Sequence, residues 1–101
     1  MRQSKMLDKK AEAQIKKIIS KHLDLRKYKV FIFGSRVEKG ARKFSDYDVG
    51  ILGEKAAPSR KLALIEDELE ESNLVYKVDV VDFAAVDNNF RKVAMKKIRK
   101  I

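Results

Sequence analysis

The sequence contains no cysteine, only one proline and four glycines, and no long apolar run. The absence of cysteine excludes a disulfide scaffold and a thiolate metal site, and it fits a reducing compartment. The apolar runs are far shorter than the roughly 20 residues that span a bilayer. The opening MRQSKMLDKK lacks the apolar core of a signal peptide. We therefore expect a cytoplasmic protein.

The scarcity of proline and glycine also argues against a disordered chain. Apolar residues make up 45% of the sequence, which is typical of globular proteins. A length of 101 residues is enough for one hydrophobic core and leaves no room for a second. The expectation is one domain over residues 1–101.

Positive charge is the feature that the sequence has in excess. Lys and Arg total 24 against 15 Asp and Glu, which gives a net charge of +9. Such an excess favours a polyanionic partner, which could be nucleic acid, a nucleotide or an acidic protein. Enrichment in lysine and glutamate without cysteine is also typical of heat-adapted surfaces. The two explanations are compatible.

The spacing of apolar residues predicts helices and strands in alternation. In chain order we expect a helix over 7–23, a strand over 28–33, a helical turn over 35–39 that ends at Gly40, a strand over 46–52, a helix over 58–73, a strand over 75–83 and a helix over 90–101. This order predicts an α/β (α+β) fold in which helices cover a small mixed sheet of three strands.

Gly34-Ser35 ends the first strand and opens a helical turn. Free backbone N–H groups at such a turn suit a phosphate. Glycine allows the phosphate to approach the backbone, and a serine hydroxyl can donate one more hydrogen bond. The alternative is a capping box between Ser35 and Glu38, which would satisfy the same donors without a ligand.

Asp46 and Asp48 alternate with apolar residues in the second strand. Strand periodicity places both carboxylates on the face opposite the core, where their mutual repulsion would keep one of them protonated. A divalent cation removes this conflict, and oxygen ligands without His or Cys favour magnesium or manganese. The alternative is a polar strand end paired with Arg36, Arg42 or Lys43.

Asp79 lies within the apolar third strand, in Val-Asp-Val-Val, and its neighbours predict burial. A buried carboxylate without a partner is costly, so we expect Asp79 to join Asp46 and Asp48 on one face of the sheet. Asp82 points to the other face at the strand end, and we interpret it as structural. His22 is isolated on an apolar helix face and is interpreted as a packed or interfacial residue rather than a ligand.

A basic stripe is expected on the last helix. Its cations are Arg91, Lys92, Lys96, Lys97, Arg99 and Lys100. The stripe could lie on the phosphates of a nucleic acid. The alternative is a solvated face with cations at the favourable end of the helix dipole.

The pattern as a whole resembles a known family. Gly34-Ser35, ten intervening residues, Asp46-x-Asp48 and a later strand with Asp79 are similar to the signature of the DNA polymerase β-like nucleotidyltransferases. The short length and the Gly-Ser-Arg start resemble the minimal nucleotidyltransferase branch. The order of elements also matches that fold, so the resemblance covers nearly the whole chain.

The resemblance implies an activity. Members of the family bind a nucleoside triphosphate with Mg²⁺ and transfer a nucleotidyl group, usually AMP from ATP, to an acceptor hydroxyl with release of pyrophosphate. Gly34 and Ser35, with Arg36 beside them, would then hold the phosphates.

The resemblance also implies roles for the three aspartates. Asp46 and Asp48 would ligate two magnesium ions, and Asp79 would complete one metal site and help to deprotonate the acceptor hydroxyl. One ion lowers the pKa of the attacking hydroxyl and the other stabilises the leaving pyrophosphate.

A protein partner is implied as well. Larger members add a domain that grips the acceptor, and we expect this chain to meet its acceptor on another polypeptide. The minimal branch resembles antitoxins that pair with a helical HEPN-domain toxin and modify it with AMP. The apolar stripes of the first and last helices could serve such a partner, a homo-oligomer or the core. A non-catalytic partner-binding antitoxin and a basic nucleic-acid-binding module stay open as alternatives.

Overall fold

A computed structural model of the chain describes residues 2–37, 46–74 and 76–101. Within these ranges the chain forms three α-helices, one short 3₁₀-helix and four strands. In chain order they are α1 (Arg2–His22), β1 (Lys29–Phe33), the 3₁₀-helix (Gly34–Val37), β2 (Tyr47–Leu52), α2 (Ser59–Glu71), β3 (Val78–Asp82), α3 (Asn88–Ala94) and β4 (Arg99–Lys100).

The strands form one mixed sheet in the order β3-β2-β1-β4. β1 is antiparallel to both of its neighbours. β2 and β3 are parallel, because α2 carries the chain back across the sheet between them. The predicted α+β class is confirmed.

Alternation along the strands divides the core between the two faces of the sheet. Ile32, Val49 and Ile51 are fully buried in the larger cluster, which also takes in Ile15 of α1 and Ile65 of α2. The opposite face carries a smaller cluster of three phenylalanines, against which the region of α3 packs. Its members are Phe31, Phe33 and Phe83, with Val81, Ala94, Met95 and Ile98 packed against them.

Two expectations about the last residues are wrong. The C-terminal helix ends at Ala94, and the sheet has a fourth strand among the described residues, whose Arg99 pairs with Ile32 of β1. The apolar positions that suggested a helix serve a strand equally well, since Ile98 packs on the phenylalanine cluster and Ile101 on the larger one. The backbone N–H and C=O groups that would have paired within a longer helix pair with the free edge of β1 instead.

Ion pairs join elements that are distant in sequence. Glu68 of α2 accepts hydrogen bonds from Lys21 Nζ at 2.7 Å and lies 3.0 Å from His22 Nε2. His22 therefore lies at the contact between the two helices, as its interpretation as a packed or interfacial residue requires. None of the helices in the described ranges combines the length and the hydropathy needed to cross a bilayer.

Candidate active site

The turn after β1 begins at a glycine that no other residue replaces easily. Gly34 has a φ of +76°, in the left-handed region that L residues with a Cβ avoid. A Cβ at this position would overlap the carboxylate oxygen Oδ2 of Asp48 and lie 3.3 Å from its Cγ. The backbone of the turn therefore lies directly against the Asp48 carboxylate.

Asp48 and Asp79 are partners in the parallel pairing of β2 with β3. Side chains at paired positions project from the same face of a sheet. Asp48 is half-buried, and burial raises its pKa above the ordinary aspartate value; the charges of Asp79 and then Asp46 raise it further. All three aspartates are thus close enough for their charges to interact.

Asp79 differs from the expectation that its apolar neighbours suggested, because it is exposed. Val78 and Val80 point to the opposite face and pack against the larger core cluster. β3 is also one of the two edge strands of the sheet. The apolar residues around Asp79 therefore indicate that one face of β3 is buried. The other face, which carries Asp79, is open to solvent.

Asp46 was expected to belong to the second strand. It lies immediately before β2 instead and is exposed. Within the described ranges, no three His, Cys, Asp or Glu side chains are arranged as a metal-binding group. The donor chemistry nevertheless fits a hard divalent cation, because Asp48 and Asp79 offer only oxygen. Burial, and then the charge of Asp79, raise the pKa of Asp48, and a cation between the two carboxylates would offset both effects. The three aspartates would have to draw closer together to hold one ion.

The other residues of the predicted site are described only in part. Ser35 and Arg36 belong to the 3₁₀-helix Gly34–Val37, and their side chains lie outside what the structure describes. Glu38 of the proposed capping box lies outside the described residues. The same holds for Arg42 and Lys43, so the two interpretations of the turn stay open.

Asp82 has the structural role that was predicted for it. Its side chain is buried and accepts a hydrogen bond from the Ala57 backbone N–H at 2.7 Å and another from that of Ala84 at 3.0 Å. These bonds hold the segment before α2 and the turn after β3 to the end of the sheet.

The predicted basic stripe does not form one helical face. Arg91 and Lys92 belong to α3, whereas Lys96 and Lys97 follow it, and Arg99 lies in β4. Arg99 pairs with Glu12, at 2.5 Å from Nη1 to Oε1 and 2.8 Å from Nη2 to Oε2. Sequence reasoning missed that Lys96 and Lys97 line a groove together with Gly34. No local signal indicates this, because the proximity arises from the packing of α3 on the sheet.

Comparisons with known proteins identify the family and the fold of the chain. The family model described as polymerase beta, nucleotidyltransferase, matches residues 13–101. A curated relative from Haemophilus influenzae, described as a probable protein adenylyltransferase MntA, is 35% identical over 69 residues. That match covers 68% of this chain and 60% of the relative, so the chain spans less than two thirds of the relative's length.

Solved structures share the fold. An MNT antitoxin solved in complex with a tri-AMPylated HEPN toxin from Shewanella oneidensis superposes with a TM-score of 0.67 at 19% identity, covering 91% of this chain and 69% of that one. A structure of the toxin–antitoxin pair MntA–HepT gives 0.64 at 18% identity, covering 91% and 69%. At such identities the likeness concerns the fold alone. The family match extends over most of the chain and includes the Gly34 turn and all three aspartates, and so the chain belongs to the polymerase beta nucleotidyltransferase family.

Proposed function

We propose that this chain transfers a nucleotidyl group, AMP from ATP, to an acceptor hydroxyl with release of pyrophosphate. The observation that carries the proposal is the pairing of Asp48 with Asp79 beside the left-handed Gly34 turn. This places two carboxylates from neighbouring strands next to a turn whose backbone a phosphate can approach.

Asp46, Asp48 and Asp79 are the residues that would hold magnesium, as two ions. When bound, magnesium lowers the pKa of the attacking hydroxyl and stabilises the leaving pyrophosphate. The carboxylates serve this purpose only when they are ionised. Burial raises the pKa of Asp48, and the nearby charges of Asp79 and Asp46 raise it further, a repulsion that a bound cation would relieve.

The turn and the aspartates have separate tasks. Gly34, with Ser35 and Arg36, orients the triphosphate, because the approach of the Gly34 backbone to Asp48 fixes the phosphate site relative to the carboxylates. Asp79 is exposed on the edge strand, where an acceptor hydroxyl can reach it and give up its proton. Positioning and charge neutralisation supply most of the acceleration in such transfers.

The proposed acceptor is a hydroxyl on a HEPN-domain protein, and the chain would act as the antitoxin of that pair. Two comparisons support this: the Haemophilus relative is described as a probable protein adenylyltransferase, and the Shewanella antitoxin was solved with an AMPylated HEPN toxin. The open position of Asp79 suits an acceptor carried by another protein. ATP and magnesium are both available in the cytoplasm, the location that the sequence predicts.

Transfer is tested with a HEPN-domain protein, taken from the neighbouring gene where that gene encodes one. The two proteins are incubated with ATP and Mg²⁺, and addition of AMP is followed by intact mass spectrometry. Asp48→Asn should abolish the addition, because it removes a charged ligand at nearly constant shape. The matched control is Asp67→Asn, which neutralises an exposed aspartate of α2 and should leave the transfer unchanged.

Full transfer by Asp48→Asn would contradict the proposed site. Absence of ATP binding by the wild-type pair, measured by calorimetry, would instead favour the non-catalytic partner-binding antitoxin. Steeply salt-dependent binding of RNA or DNA would favour the nucleic-acid-binding module.

A further inference from the structure

A groove lies beside the Gly34 turn, between this turn and the region of α3. Its volume is about 380 Å³, within the range of small-molecule sites, which begins at roughly 300 Å³. The residues that matter for its chemistry are Gly34, Val37, Phe90, Val93, Lys96 and Lys97. Gly34 lines the groove and also lies next to the Asp48 carboxylate, so the groove adjoins the candidate active site.

One wall of the groove is apolar and open to solvent. Phe90 is 46% exposed and Val93 is 69% exposed, although both lie on a helix that packs against the sheet. The Phe90 ring stands edge-on to Phe33, with 6.2 Å between the centroids, so the phenylalanine cluster fixes its orientation. A ring that is anchored on one side and open on the other offers a surface for a flat ligand.

The rest of the groove is cationic. Lys96 and Lys97 are exposed, and neither forms an ion pair with another residue in the part of the chain that the structure describes. Their ammonium groups therefore keep their charge available to a ligand. With the Gly34 backbone on the same groove, these cations suit a polyphosphate.

We propose that this groove binds the nucleoside triphosphate, with the base against Phe90 and Val93 and the phosphates between the Gly34 turn and the two lysines. The inference rests on the proposed function and adds the residues that recognise its substrate. A nucleotide has one flat apolar end and one polyanionic end, and the groove offers a complementary surface for each. An apolar peptide would use the wall but not Lys96 and Lys97.

A second cavity, of about 520 Å³, lies along β3 and is a poorer match for a triphosphate. Its lining includes Glu66, Glu70 and Asp79, with Lys77 as its one cation. Of these carboxylates only Asp79 belongs to the proposed metal site, and Glu66 and Glu70 would repel a polyanion without a cation between them. Of these two cavities, the groove beside Gly34 is therefore the better match in charge, and it also adjoins the aspartates.

The experiment measures binding of ATP with Mg²⁺ to the full chain by calorimetry. Lys96→Ala combined with Lys97→Ala should weaken ATP binding about tenfold or more, because two charge-assisted contacts to phosphate are lost. Binding of AMP, which lacks the outer phosphates, should be weakened less by the same two substitutions. The matched control combines Lys61→Ala with Lys92→Ala: it changes the net charge equally, and both lysines are exposed and outside the groove lining. This control should bind ATP within about twofold of wild type.

Val93→Asp provides a second variant that places a carboxylate on the apolar wall. Because Val93 is 69% exposed, the change should leave the fold intact, as circular dichroism would verify, and should also weaken ATP binding. If wild type binds ATP but both groove variants bind it equally well, the groove is not the nucleotide site and the proposed function survives. If wild type binds no ATP with Mg²⁺ either alone or with its HEPN-domain partner, the proposed function fails and the groove assignment fails with it.

Discussion

Gly34→Ala tests the candidate site directly, because it acts on the backbone and on Asp48 at once. The φ of +76° costs an L residue with a Cβ roughly 1–2 kcal/mol. The new Cβ would also overlap Oδ2 of Asp48. Since Oδ2 is the end of a side chain that can rotate, we expect Asp48 to leave its rotamer at a cost of roughly 0.5–1.5 kcal/mol.

Together these costs predict a loss of about 1.5–3.5 kcal/mol in the free energy of unfolding. The effect on activity should be larger, because displacing a catalytic group by an ångström can slow a reaction by roughly 100-fold. Equilibrium urea unfolding followed by circular dichroism measures the first quantity. The initial rate of AMP transfer measures the second.

A double-mutant cycle with Asp48→Ala separates the two costs. That change leaves only the Cβ at position 48, which lies 3.4 Å from the position of the new Cβ, an ordinary contact. In this background Gly34→Ala should cost only the backbone contribution of about 1–2 kcal/mol. The coupling energy should therefore be about 0.5–1.5 kcal/mol. Equal costs in both backgrounds would refute the contact, and wild-type stability of Gly34→Ala would refute the left-handed turn.

Three further predictions concern charge and buried polar contacts. Lys21 and His22 hold the pKa of Glu68 below its ordinary value of 4.5. Glu68→Gln should therefore lower the melting temperature at neutral pH. Below the lowered pKa of Glu68 the variant and wild type should melt at the same temperature, because Glu68 is then protonated. Asp82→Ala should lower the free energy of unfolding by about 2–4 kcal/mol in urea, because it leaves two backbone N–H groups without their acceptor. Without divalent cations, Asp48→Asn should melt at a higher temperature than wild type once the pH exceeds the raised pKa of Asp48. The reason is that the folded state binds this proton more tightly than the unfolded state, so losing it destabilises wild type but not the variant.

Each of these has an outcome that would contradict it. A pH-independent effect of Glu68→Gln would mean that the pairing with Lys21 and His22 contributes no charge term. An effect of Asp82→Ala no larger than that of Asp67→Ala, on the exposed face of α2, would mean that water replaces the two bonds. A lower melting temperature for Asp48→Asn at neutral pH would show that the carboxylate stabilises the chain without a cation.

Much of the fold could be predicted because its information is local. A continuous β-branched and aromatic run marks β1, apolar runs interrupted by aspartates mark β2 and β3, and Pro58 marks the start of α2. Asp82 was also interpreted correctly, because it lies three residues from Asp79 in the strand and so projects from the opposite face. The resemblance of the Gly34-Ser35 and Asp46-x-Asp48 pattern to its family was confirmed by the family match. The roles of the individual residues stay predictions.

What sequence reasoning missed depends on which surfaces meet. Ile98 and Ile101 fit a helical period, and only the open edge of β1 decides that Arg99 and Lys100 between them form a strand instead. Burial of Asp79 was expected from its neighbours, but the position of β3 at the sheet edge leaves this face open. The approach of Lys96 and Lys97 to Gly34 depends on the docking of α3, about 60 residues further along the chain.

The sequence by itself determined the class of fold, the family and the chemical character of the site, because periodicity and residue type are properties of short segments. The tertiary structure alone decided the fourth strand, the exposure of Asp79 and the cations that surround the turn. These features come from contacts between segments distant in the chain, whose free energy depends on the packing of the whole sheet and not on any local pattern.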